Sequence, residues 1–82
     1  MSGGAINLPE YRDGPKRIDD VWTLRKGKHT ATCTLFTHPI GGEIRLEAAG
    51  DFVRSEAGRD GLKLIDLAME WRRQFVEKGW SA

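Results

Sequence analysis

The sequence predicts an α+β fold: an antiparallel meander of three or four strands, followed by one C-terminal helix packed on one face of the sheet. Between Val21 and Glu56, apolar and polar residues alternate in short runs separated by turn-forming residues, mostly glycines. From about Asp60 to Lys78, apolar residues instead recur with the period of a helix. We expect a single domain over residues 18–82, preceded by a flexible N-terminal arm at residues 1–17.

The predicted strands can be paired so that the two faces of the sheet separate. We place the turns at Lys26-Gly27, at residues 38–43 and at Gly50-Asp51, which pairs Trp22 with Ala31. One face then collects the residues expected to form the core: Trp22, Leu24, Ala31, Cys33, Leu35, Ile44, Leu46, Ala48 and Val53. The other face is expected to be solvated and carries Thr30, Thr32, Thr34, Phe36, Arg45, Glu47 and Arg54.

The last predicted hairpin supports this register by its charges. Glu47 would face Arg54, and Arg45 would face Glu56, so both cross-strand pairs join opposite charges. A slip by one residue would instead oppose like charges and turn every side chain to the other face.

The predicted helix has Asp60 as its N-cap and Gly79 just after its C-terminus. Its apolar arc covers about half the circumference, wider than contact with one sheet requires, and Arg72 lies inside that arc. We therefore expect a second contact surface on the helix, and a homodimer as its use. The candidate interface residues are aromatic, apolar or arginine: Met69, Trp71, Arg72, Phe75 and Trp80. Alternatively, the N-terminal arm covers the excess while Arg72 extends its charge to solvent.

The N-terminal arm has no hydrophobic periodicity, and Pro9 and Pro15 disfavour a helix there. It is either flexible or docks on a partner through Ile6, Leu8 and Tyr11.

Composition excludes several classes of protein. The single cysteine can form neither an intramolecular disulfide nor a zinc-binding cysteine pair, and 13 basic residues against 12 acidic ones give no strong field. No signal-peptide core and no run of about 18 apolar residues occurs. We expect a soluble cytoplasmic protein.

No group of residues in the sequence predicts a catalytic site, a metal site or a cofactor site. In the predicted sheet His29 and Cys33 lie about 13 Å apart on one strand, too far for a nucleophilic dyad. His38 points to the opposite face, so the three cannot share a metal. Gly41-Gly42 lacks the helix and the Lys-Ser/Thr of a phosphate loop. We expect the protein not to be an enzyme.

Nucleic-acid binding by the open sheet face is the main alternative, because some DNA-binding domains share this topology. The residues that would carry it are Arg25, Lys28, Phe36, Arg45 and Arg54. Glutamates on the same face would neutralise part of this charge and weaken counterion release.

Three tracts resemble a group of small uncharacterised bacterial proteins: Trp22–Lys26, His29–Cys33 with its His-x-Ala-x-Cys pattern, and Glu77-Lys78-Gly79-Trp80. The resemblance covers about residues 20–80 and implies one bacterial domain, without assigning any residue a role. We therefore predict a non-catalytic protein-protein interaction module. A small regulator or inhibitor from a mobile element is a further alternative.

Overall fold

A computed structural model describes Leu8 and residues 14–82 of the chain. Its strands are β1 (Arg17–Lys26), β2 (His29–His38), β3 (Gly41–Ala48) and β4 (Asp51–Gly58), and its helix is α1 (Gly61–Glu77). The strands form one antiparallel sheet in the order β1-β2-β3-β4, with α1 packed on one face. The predicted α+β meander is confirmed, with four strands.

All three hairpins have two-residue loops, at Gly27-Lys28, Pro39-Ile40 and Ala49-Gly50. Ala49 and Gly50 both have positive φ, at 54° and 84°, as a type I′ turn requires. The predicted turns were therefore misplaced, and strand pairs differ from prediction by two residues: Trp22 pairs with Cys33 rather than Ala31. A shift of two preserves the faces, so most of the predicted core is correct.

On β4 the predicted faces are wrong from Val53 onward. A bulge between the Leu46 and Glu47 pairs inserts Val53 as an extra residue. Val53 is 44% exposed and does not join the core. Arg54 pairs with Leu46 on the helix side of the sheet, so neither the predicted Glu47–Arg54 pair nor the Arg45–Glu56 pair exists.

The core lies between the sheet and α1. Its buried residues are Trp22, Leu24, Ala31, Cys33, Leu35, Ile44, Leu46, Leu64, Ala68 and Trp71. Trp22 also joins the two layers by a hydrogen bond, because its indole Nε1–H donates to the Ala68 carbonyl oxygen at 2.7 Å. Burial of this apolar surface is the main stabilising contribution for a domain of this size.

Both predicted helix caps are confirmed. The Asp60 carboxylate accepts hydrogen bonds from the backbone N–H groups of Leu62 and Lys63. At the other end Gly79 has a φ of 98°, and its N–H donates to Val76 while that of Trp80 donates to Phe75. This is a Schellman motif, and the rings of Phe75 and Trp80 pack 5.4 Å apart as its apolar contact.

Two further contacts tie the chain ends to the domain. Ser81 and Arg25 exchange backbone hydrogen bonds, so the C-terminal residues bridge the outer edge of β1. The Leu8 side chain packs against the core near Gly42, where an added Cβ would lie 3.1 Å from it. Of the predicted arm anchors, Leu8 therefore contacts its own domain, whereas Ile6 and Tyr11 lie outside the described residues.

Candidate interaction surfaces

Helix α1 carries two rows of residues with the same spacing. We call Gly61, Leu64, Ala68, Trp71 and Phe75 the core stripe, because they face the sheet. One residue later along the chain, and about 100° further around the helix, follow Leu62, Ile65, Met69, Arg72 and Val76, the outer stripe. Leu62, Met69 and Val76 are 38%, 46% and 43% exposed. The outer stripe is apolar except for Arg72 and has the 3-4-3-4 spacing of a helix-pairing seam; Ile65 and Arg72 are half-buried where it borders the core.

The structure separates the predicted interface residues into two groups. Met69 and Arg72 belong to the outer stripe and reach the surface. Trp71 is 2% exposed and lies in the core, where a partner cannot contact it. Phe75 and Trp80 are half-buried, and the Phe75 ring packs in tilted geometry between the rings of Trp22 and Trp80.

The sequence prediction missed Leu62, Ile65 and Val76 as surface candidates. Their spacing relative to Met69 was visible in the sequence. Without knowledge of which row faces the sheet, however, the two rows could not be told apart.

Charged residues border the outer stripe on its polar side. Arg73 forms ion pairs with Glu70 and Glu77 one turn to either side. These contacts lower the pKa of the Glu70 carboxyl, chiefly through the hydrogen bond from Arg73. Asp66 lies two turns of helix before Arg73, on the same side of the stripe. An acidic and a basic side chain thus flank opposite halves of this surface.

A second surface lies where β4 meets α1. A groove of about 430 Å³ is lined by Glu56, Ala57, Gly58, Arg59, Asp60, Lys63, Leu64 and Leu67. Nearby, the Arg54 guanidinium lies 4.8 Å from the centre of the Trp71 ring, so it covers part of the core from the helix side. This groove was not predicted, because the bulge that turns Arg54 toward the helix has no clear sequence signal.

The open face of the sheet offers nucleic acid fewer free cations than predicted. Arg45 is bound by the Glu43 carboxylate at 3.0 Å and stacks on Phe36 at 4.4 Å. Arg54 belongs to the opposite face. Of the five predicted residues, Arg25 and Lys28 remain as exposed cations at the β1–β2 end.

The cysteine and the two histidines considered as reactive groups lie in different surroundings: Cys33 is buried, His38 is half-buried and His29 is exposed. Burial raises the pKa of the Cys33 thiol to about 12, which makes it a poor nucleophile at neutral pH. The His38 Nδ1 accepts a hydrogen bond from the Ile40 N–H across the second turn. No three histidine, cysteine or acidic residues of the described chain are grouped to hold a metal. Over the same residues no helix is long and apolar enough to cross a membrane.

Comparison with protein-family models, with curated proteins and with solved structures gives no match to this chain. Function must therefore be argued from the surfaces of this domain.

Proposed function

We propose that the protein is a non-catalytic interaction module that forms a homodimer by pairing the outer stripes of two α1 helices. The observation that supports this most is the exposure of three apolar side chains at heptad spacing, Leu62, Met69 and Val76. Apolar residues in such a regular row gain free energy when a second helix removes them from water.

The charges favour an antiparallel arrangement. In a parallel pair, Arg72 would face Arg72 of the second copy inside the seam, which is unfavourable. A two-fold axis near Met69 instead places Arg72 beside Ile65 of the second copy. The same axis brings Asp66 toward Arg73 of the second copy, which already pairs with Glu70 and Glu77 of its own helix, so the preference for antiparallel helices rests on separating the two Arg72 side chains.

The size of the stripe predicts a reversible dimer. A helix of 17 residues is about 25 Å long. One row on such a helix buries less than the roughly 800 Å² per partner of a standard interface. We therefore expect dissociation constants in the micromolar range.

Disulfide crosslinking tests this arrangement, since buried Cys33 does not compete for mild oxidants. Met69→Cys should crosslink to itself across the two-fold axis, whereas Lys63→Cys, on the far side of the helix, should not. A mixture of Leu62→Cys and Val76→Cys should crosslink, while Leu62→Cys alone should form no crosslink. Efficient self-crosslinking of Leu62→Cys would indicate parallel helices, and equal crosslinking at Lys63 and Met69 would contradict the interface.

A further inference from the structure

The two edges of the sheet differ in how they are covered. The outer edge of β1 is bridged by Ser81. In the described part of the chain no strand or bridge pairs with the outer edge of β4, and residues 51–56 are all exposed. The β4 edge therefore offers backbone N–H and C=O groups with which another strand can pair.

The side chains along β4 carry two charges of opposite sign. Arg54 and Glu56 are both exposed and lie on the helix side of the sheet, where they pair with Leu46 and Ile44 of β3. Among residues 14–82 neither of them forms an ion pair. Ser55 lies between them on the open face. The edge thus presents a basic and an acidic side chain, in that order, to whatever pairs with it.

We propose that β4 pairs antiparallel with β4 of a second copy about a two-fold axis at Ser55. In this register the strand is its own complement. Arg54 of each copy faces Glu56 of the other, so the contact between opposite charges occurs twice. On the open face the two Ser55 side chains meet, and Val53 faces Ala57 of the second copy. The bulge at Val53 confines regular pairing to residues 53–57.

The charges select this register over its neighbours. In a symmetric antiparallel pair one residue faces its own copy, and here that residue is Ser55. Moving the axis by one residue would place Arg54 opposite Arg54, or Glu56 opposite Glu56, and like charges directly opposite each other are destabilising. Charged side chains on an edge strand commonly prevent pairing between sheets. On β4 they disfavour the neighbouring registers and favour the one centred on Ser55.

The contact is small, so it acts where copies are concentrated. Only residues 53–57 of each copy pair, which buries far less than the roughly 800 Å² per partner of a standard interface. For free chains we expect a dissociation constant of about 1 mM or weaker. Tethering several copies near one another raises their local concentration to this range.

The β4 edge is separate from the outer stripe. Lys63 and Leu67 line the groove on the β4 side of the core stripe, whereas the outer stripe lies on the other side of that row. One chain can therefore use both surfaces at once. At high local concentration, dimers joined through their helices would associate further through their β4 edges.

Disulfide trapping in the full chain tests the edge by itself when Met69→Glu is present to remove the helix contact. In that background Ser55→Cys should crosslink to itself under mild oxidation at about 2 mM chain, and buried Cys33 does not compete. Adding Arg54→Glu or Glu56→Arg places like charges opposite each other twice and should lower crosslinking at least about fivefold. The double variant Arg54→Glu with Glu56→Arg should restore it.

An equimolar mixture of the two single variants gives a sharper result. Each variant supplies the charge that the other lacks, so the mixture should crosslink well, and mass spectrometry should find both variants in the same crosslinked product. The matched control is Arg25→Glu, which makes the same charge change at an exposed position of β1, at the opposite edge. It should leave crosslinking unchanged. Circular dichroism checks that every variant is folded.

Three results would overturn the proposal. Absence of crosslinking by Ser55→Cys would leave the edge to a different chain. Equal crosslinking after Arg54→Glu and Arg25→Glu would show that the charges do not direct pairing, and so would a mixture that crosslinks no better than its components. Because Met69→Glu is present throughout, none of these results bears on crosslinking at Met69→Cys.

Discussion

The core stripe and the outer stripe of α1 have the same 3-4-3-4 spacing, lie one residue apart, and have opposite surroundings. Ala68 is fully buried under the sheet, while its neighbour Met69 is 46% exposed. Hydrophobic periodicity therefore does not by itself distinguish residues that hold the domain together from residues available to a partner. What separates them here is burial by the sheet, which covers Leu64, Ala68 and Trp71 of the core stripe and leaves Leu62, Met69 and Val76 of the outer stripe exposed.

The largest difference is expected between Ala68→Glu and Met69→Glu. Ala68→Glu places an unpaired charge in the core, so we expect it to lower the free energy of unfolding by at least about 4 kcal/mol and to leave the chain largely unfolded. Met69→Glu adds the same side chain to an exposed position and should change this free energy by no more than about 0.5 kcal/mol. Urea denaturation at low protein concentration measures both.

Cys33 provides an independent readout of this comparison. Its buried thiol should react slowly with a thiol reagent at pH 8 in the native chain and in Met69→Glu, and rapidly in Ala68→Glu. Similar destabilisation by both substitutions would mean that the outer stripe also supports the fold of the monomer.

Trp22→Phe tests how firmly the core stripe is attached to the sheet. The substitution removes the indole N–H that donates to the Ala68 carbonyl, which keeps only its helical hydrogen bond, and it also makes a buried side chain smaller. We expect a loss of about 2 kcal/mol, measured by thermal or urea unfolding. A loss below about 0.5 kcal/mol would indicate that apolar packing alone fixes the helix.

Asp60→Ala should lower the free energy of unfolding by loosening the first turn of α1, which carries the start of both stripes. The carboxylate accepts hydrogen bonds from two backbone N–H groups, and its removal should cost about 1 kcal/mol. Asp60→Asn retains an oxygen acceptor and is the matched control, expected to lose less. Equal losses would show that charge at the helix N-terminus, rather than hydrogen bonding, is responsible.

The smallest expected effect lies far from both stripes, at Asp20 on β1. The hydrogen bond from Arg17, with a second from Thr34, lowers the pKa of this carboxyl below its ordinary value. The stabilisation is therefore present above the unfolded pKa near 3.8 and is lost as the pH falls through the folded one. Asp20→Asn should cost less than about 1 kcal/mol at pH 6, since the pair is exposed. The difference in free energy of unfolding between Asp20→Asn and the native chain should shrink as the pH is lowered from about 5 to 2. A difference that does not change with pH would contradict the pairing.

The sequence was sufficient for the faces of β2, β3 and the Trp22–Lys26 part of β1, but not for their register, nor for the two irregularities of β1 before Trp22. Alternation has a period of two, so a two-residue shift leaves Leu24, Cys33 and Leu46 on the core face with different strand partners. Turn geometry sets the register, and the sequence offered several plausible turns around Gly27 and Gly50. On β4 the prediction failed because a bulge adds one residue and reverses the alternation, which moved Val53 out of the core and Arg54 to the helix side.

The helix was easier to predict at its ends than on its surface. Asp60 and Gly79 act through local hydrogen bonds and a positive φ, which their residue types indicate directly. The roles of Trp71 and Met69 depend instead on which side of the helix meets the sheet. That orientation follows from tertiary packing, here from contacts such as the Trp22 hydrogen bond to Ala68.

Sedimentation equilibrium over a concentration series from about 1 to 500 μM tests most directly whether the outer stripe is an interface. The native chain should shift from monomer to dimer as its concentration rises, and Met69→Glu should remain a folded monomer throughout. Arg45→Glu, on the open face, should dimerise like the native chain. A native chain that stays monomeric at the highest concentration, or a Met69→Glu variant that dimerises equally well, would contradict the account.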